Sequence, residues 1–224
     1  MNVIETYKND RYCLKVIQDE TPANPREDFD NLGTMIGFSR DYVMGDKHNY
    51  YSYRHFLECM AAEYGFKGWA ENASDRTLAS FLERHLIILP YYLYARDGLA
   101  IANGWDYDRD GFLRADGFLY VSKQAVREEW KVKRISPALR AQVLRVLKVE
   151  FETYEQYRQG EVYGFILHEL KARDCLACGG EAGCEVCPEV EDEEIDSCWG
   201  FYGDDPKVNG MMDHLPEAAR GLLG

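Results

Sequence analysis

Positive charge is missing from a long stretch of this chain. No Lys or Arg occurs between Asp174 and Pro206, where eleven Asp and Glu stand, among them the run Glu191-Asp192-Glu193-Glu194. The whole chain is short of cations, with 26 Lys and Arg against 39 Asp and Glu and a formal net charge of −13. That balance disfavours nonspecific nucleic-acid binding, which rests on neutralising phosphates, and suits a partner that is itself basic. Long apolar runs are lacking too. The longest, Leu86 to Leu93, is interrupted by Pro90, falls far short of a bilayer span and reads as a buried strand. The opening Met1-Asn2-Val3-Ile4-Glu5 has neither the basic nor the apolar region of a signal peptide, so a cytoplasmic location and no membrane partner are expected. Catalytic signatures are also scarce: there is no Gly-rich phosphate loop, no Gly-x-Ser-x-Gly and no His-Glu-x-x-His.

Cysteine and aromatics are plentiful. Apolar residues make up 46% of the 224, with 16 tyrosines, which is enough to build a core as one large domain or two small ones. Four of the seven cysteines, Cys175, Cys178, Cys184 and Cys187, fall within thirteen residues as Cys-x2-Cys-x5-Cys-x2-Cys. Two such pairs can complete a closed tetrahedral shell of thiolates, and the glycines Gly179, Gly180 and Gly183 permit tight turns beside the sulfurs. A filled shell leaves no site for water or substrate, so the spacing points to a structural zinc; iron–sulfur ligation and unligated thiols are the rival readings. Cys13, Cys59 and Cys198 read as small buried hydrophobes.

Periodicity and punctuation give an α+β fold: a mixed, mainly antiparallel sheet with packed helices. Tyr12 to Ile17 alternates as a strand, and Pro22 and Pro25 mark a loop after it. Helices are expected over His55–Tyr64 and Ser74–His85, and from Ser122 to Trp130. A long one starts at Ser136-Pro137 and ends at Gly160, with Leu139, Val143, Val146, Leu147, Phe151 and Tyr154 as its apolar stripe. Leu86–Ala95, Leu99–Ala102 and Gly117–Val121 read as strands. Glu161–Leu167 and Glu194–Tyr202 form a late hairpin, and the cysteines lie in its loop as a small zinc knob. The organisation expected is one domain over 1–224, with 168–193 as a zinc-binding hairpin insertion and 204–224 as a C-terminal tail. Trp199 and Phe201 share one face of a regular strand and are expected in the core.

Two acidic groups invite a metal. Asp106, Asp108 and Asp110, followed by Gly111, match the first part of a calcium loop. The twelfth position is Gly117 where a bidentate Glu belongs, so a solvated turn is favoured over calcium. Glu27, Asp28, Asp30, Asp46 and His48 could hold a divalent ion or act as acid and base. Arg26 could equally pair with Glu27 or Asp30 and pin the loop, and nothing in the spacing requires convergence.

Several motifs carry a resemblance in combination: Asn24-Pro25-Arg26-Glu27-Asp28-Phe29-Asp30-Asn31-Leu32-Gly33-Thr34-Met35, Gly45-Asp46-Lys47-His48, Leu89-Pro90-Tyr91-Tyr92-Leu93-Tyr94, Gly117-Phe118-Leu119-Tyr120-Val121-Ser122 and Asp196-Ser197-Cys198-Trp199-Gly200-Phe201-Tyr202-Gly203. From Asn24 to Gly203 the chain resembles a widespread family of small proteins encoded by bacteriophages and related mobile elements, without an established activity. The resemblance implies an accessory protein acting inside a bacterium. Its relatives have a shorter turn at Tyr107–Asp116 and lack the cysteine knob, so the metal site is an accessory of this member.

The leading expectation is a non-enzymatic protein that binds, and inhibits, a host defence or nucleic-acid-processing complex. The contact would be an acidic surface around Glu189, Glu191, Asp192, Glu193 and Glu194, which would face a basic groove. The alternative is a metal-dependent enzyme acting on nucleotides or nucleic acid through Asp28, Asp30, Asp46 and His48. A third reading uses the basic stretch Lys131–Lys148 to contact nucleic acid. The cysteine reading has a direct check. Elemental analysis of the purified chain is expected to find stoichiometric zinc, lost when Cys178 and Cys184 are both replaced by Ser.

Overall fold

Serine opens the main helices. Ser52, Ser74, Ser122 and Ser136 each accept, through Oγ, the backbone N–H of the residue three positions on, at 3.2, 3.2, 2.9 and 3.1 Å. Each such bond satisfies one of the amides that a helix start leaves without a partner.

The computed structural model describes residues 2–39, 41–95, 99–103, 115–171 and 190–224. The first elements in chain order are β1 (Val3–Lys8), β2 (Tyr12–Gln18), α1 (Pro25–Asp28), β3 (Thr34–Gly37), α2 (Tyr53–Glu63) and α3 (Asp75–Leu82). Then follow β4 (Leu86–Ala95), β5 (Leu99–Asn103), β6 (Gly117–Ser122), α4 (Lys123–Glu129) and α5 (Pro137–Gln159). The chain closes with β7 (Val162–Lys171), β8 (Val190–Tyr202), α6 (Met211–His214) and α7 (Glu217–Arg220). The expected α+β class holds, but among the described residues two four-stranded sheets replace the single one, and every strand pairing is antiparallel. The chain forms two compact units, one of Met1–Ala23 with Gln156–Gly224 and the other of Asn24–Glu155. No helix among the described residues is long and apolar enough to cross a membrane.

The Asn24–Glu155 unit holds the sheet β3-β6-β4-β5. Ile36, Leu86, Ile88 and Phe118 turn to one face and pack with Phe56, Leu57 and Met60 of α2 and with Leu78 and Leu82 of α3. Tyr91 turns to the opposite face, where its ring meets Phe151 of α5 at 5.8 Å between centroids. The continuous apolar run of β4 is therefore the signature of a strand covered on both sides. Gly117 is the cross-strand partner of Tyr91, and the phenol lies over it to donate a buried hydrogen bond to the Ile36 carbonyl at 3.0 Å. A methyl group on Gly117 would fall 2.1 Å from the Tyr91 ring and 2.3 Å from that carbonyl oxygen.

The other unit holds the sheet β1-β2-β7-β8, in which the late hairpin β7–β8 pairs as expected. The proposed knob, with Cys175, Cys178, Cys184 and Cys187, lies outside the described residues, as do Asp106, Asp108 and Asp110. Residues 204–224, read from sequence as a tail, carry α6 and α7. Met211, Leu215, Ala219 and Leu223, four residues apart, are buried with Tyr12, Leu14, Val16, Phe165, Leu167 and Phe201.

One expectation about β8 is overturned. Trp199 pairs with Gly164 and Phe201 with Tyr163, so Gly200 is an extra residue, with φ +87. A bulge of this kind resets the alternation, and the two aromatics part company. Phe201 is 5% exposed in the core while Trp199 is 41% exposed on the other face, lying over Gly164.

These geometries separate two kinds of glycine. Gly117→Ala and Gly164→Ala, with Cβ positions 2.1 and 2.2 Å from ring atoms, are expected to cost about 2–3 kcal/mol through overpacking. Gly200→Ala meets open space and should cost about 1 kcal/mol, from the left-handed backbone alone. Urea unfolding of the three variants gives the ranking.

Candidate functional site

The acidic loop that suggested a metal is instead organised by one arginine. Asn24 caps α1 by accepting the Arg26 N–H at 3.0 Å, and Asp28 Oδ2 accepts the Asn24 N–H at 2.7 Å, closing the cap from both ends. This turn sets the Arg26 side chain inward, where it is 2% exposed. Its Nε and Nη2 grip Asp46 at 2.7 and 2.8 Å, Nη2 also donates to the Gly33 carbonyl at 2.6 Å, and Nη1 reaches Glu150 Oε2 at 3.4 Å. Glu150 in turn accepts the Leu32 and Gly33 amides at 2.7 and 3.1 Å, while Asp46 Oδ2 accepts the Met35 amide at 2.9 Å. Burial pushes the Glu150 carboxyl above its ordinary range, against the pull of those two amides and of Arg26.

The five residues of that constellation therefore do separate things. Asp28 caps a helix and Asp46 neutralises Arg26. Glu27 pairs with Lys47 at 3.1 Å on the surface, and Asp30 is exposed. His48 Nδ1 accepts the Tyr50 amide at 3.2 Å, which leaves Nε2 to carry the proton and donate to the Gly37 carbonyl at 2.9 Å. Arg26 does pin the loop, but through Asp46 and Glu150 and not through Glu27 or Asp30. Among the described residues, no group of three or more His, Cys, Asp or Glu is placed to hold a metal ion.

The acidic strand has a different character. β8 pairs with β7 on one side and is the end strand of its sheet. Glu193 and Glu194 are exposed, Ile195 is 43% exposed, and Trp199 follows on the same strand. Glu191 and Asp192 occupy strand positions in β8, while Glu189 lies outside the described residues. Charged side chains on a long end strand deter pairing with another copy of the same strand, and they leave it open to a cationic one. A cavity of about 370 Å³ is lined by Gln18, Asp19, Glu20, Thr21 and Trp199. Its wall is held by backbone and side-chain bonds: Gln18 Nε2 to the Gly160 carbonyl at 2.9 Å, the Asp19 amide to the Val162 carbonyl at 2.8 Å, and the Thr21 amide to Asp19 Oδ1 at 3.0 Å. Sequence reading missed this cavity. The available signal was Trp199-Gly200-Phe201, because a glycine inside a strand often marks a bulge.

Two residues read separately from the sequence also meet. Cys198 Sγ lies 4.0 Å from His214 Nδ1, and the imidazole stands edge-on to Phe201 at 5.3 Å. Cys13 is buried, as expected, whereas Cys59 and Cys198 are half-buried.

The arginine cluster makes a signed pH prediction. Arg26→Met strands two mostly buried carboxylates and is expected to cost about 3–5 kcal/mol at neutral pH. Protonation of Glu150, whose pKa burial already raises, relieves part of that cost. A group with a raised folded pKa favours the folded state at low pH and loses that advantage as pH rises through it. The gap between wild type and variant should therefore narrow on acidification, which urea melts at two pH values would measure. Compared with known proteins, the chain matches no protein-family model, no curated protein and no solved structure.

Proposed function

We propose that this chain is a non-enzymatic binding protein that docks a basic partner along the acidic end strand β8. The observation that carries the reading is the exposure of Glu193 and Glu194 on a strand that also presents Ile195 and Trp199. Carboxylates supply long-range attraction and register; the apolar side chains supply area that can be desolvated, and Trp is a residue type on which binding energy concentrates. No Lys or Arg stands between Asp174 and Pro206, so the charges of this stretch of sequence are all negative. The four cysteines between β7 and β8 are proposed to hold a structural zinc that orders the intervening loop. The resemblance to proteins of phages and mobile elements makes the proposed partner a protein or complex of a bacterial host, with inhibition as the outcome of docking.

The test is capture from a bacterial lysate with wild type and with a Glu193→Lys/Glu194→Lys variant, eluted by rising salt. A bound host complex released at moderate salt, and not retained by the variant, is the expected result, since exposed charge pairs are screened over about 8–10 Å at these ionic strengths. Equal retention by both proteins would remove β8 from the interface.

A further inference from the structure

We infer that the cavity beside Trp199 is a receptor for an arginine side chain, an assignment that rests on the docking reading of β8 and names its most specific contact. Three features support it. The first is the indole. The bulge at Gly200 turns Trp199 out of the core, and Gly164 lets the ring close on the sheet: a methyl group at Gly164 would fall 2.2 Å from the indole Cε3. The indole is thus set against the sheet through its benzo edge, and the residue remains 41% exposed.

The second feature is charge. Of the described residues lining the cavity, Asp19 and Glu20 are carboxylates and none is Lys or Arg. An ionised carboxylate offers about four acceptor positions, and the Thr21 amide on Asp19 Oδ1 takes one. A cation between an indole face and carboxylates gains both cation–π and ionic attraction, and a neutral ligand of the same shape gains neither. The planar guanidinium stacks on an aromatic ring and donates in a fork to carboxylate, which a compact ammonium does not do.

The third is rigidity and size. The hydrogen bonds of Gln18 and Asp19 to Gly160 and Val162 hold the wall in place before anything binds. The volume of about 370 Å³ corresponds to on the order of ten waters, ample for a guanidinium and its stem. Glu194 stands five residues before Trp199 on the same strand, about 15 Å away at the rise of a β-strand. A partner segment in extended conformation could meet the acidic stretch and the cavity together.

The experiment uses the full chain labelled with 15N and the signals of its 4 indole N–H groups, that of Trp199 being identified with Trp199→Phe. The probes are N-acetyl-arginine methylamide and its uncharged isostere, N-acetyl-citrulline methylamide. The arginine probe is expected to shift the Trp199 signal saturably, and the citrulline probe to leave it in place. Asp19→Asn/Glu20→Gln, which keeps an acceptor oxygen for the Thr21 amide, should weaken the arginine probe by roughly three- to tenfold. Trp199→Leu, read from the amides of Asp19 and Glu20, should weaken it by roughly two- to fivefold. An unmoved Trp199 signal, equal shifts by both probes, or full affinity in the double variant would each overturn the assignment. The assay contains no protein partner, so it can fail while lysate capture through Glu193 and Glu194 succeeds, and the reverse result is equally visible.

Discussion

A guanidinium buried to 2% exposure is the constraint around which the Asn24–Glu155 unit is arranged. Removing such a charge from water costs several kcal/mol, and the cost is met only if its donors find acceptors in the right plane. Arg26 meets it with both oxygens of Asp46, the Gly33 carbonyl and Glu150. Those acceptors come from segments far apart in sequence, so the pairing closes the loop before β3, the turn after it and α5 onto one another. Fixing the loop in turn fixes β3 at the margin of its sheet, where the Ile36 carbonyl receives the Tyr91 phenol. Asp46 and Glu150 therefore serve folding.

Each sheet seats a large aromatic on a glycine of the neighbouring strand, Tyr91 on Gly117 and Trp199 on Gly164. The consequences differ with what lies above the ring. Tyr91 is covered by Phe151 of α5 and is fully buried. Trp199 keeps an open side, with the Asp19–Glu20 turn beside it. The same local device gives a core contact in one sheet and a receptor surface in the other. The bulge at Gly200 separates the outcomes, because it alone sends Trp199 to the face away from Phe201.

The acid-rich strand combines two demands. An end strand with open backbone groups invites self-pairing, and a row of Glu residues makes pairing with a second copy repulsive. The same charges favour a strand of opposite sign. Specificity of this kind works by repelling wrong partners as much as by attracting the right one.

Much of the architecture was legible in the sequence because the relevant physics is local. The serine caps, the stripe Val143-Leu147-Phe151-Tyr154, the run from Leu86 and the hairpin partners of β7 all follow from propensity and period within a few residues. The four-residue spacing of Met211, Leu215, Ala219 and Leu223 was equally visible, but Pro216 and the shortness of α6 and α7 masked it. The division into two sheets was not legible, because antiparallel pairing between β2 and β7 joins segments about 150 residues apart and no local pattern encodes it. The same holds for the partners of Arg26, since Glu150 lies more than a hundred residues away and adjacent carboxylates offered equally good charge. Composition and spacing by themselves determined the α+β class, the acidic character of the late hairpin and the cysteine motif. Which carboxylates are spent on the fold, and which aromatic faces solvent, were decided by the tertiary structure, through the burial of one charge and the insertion of one residue in a strand.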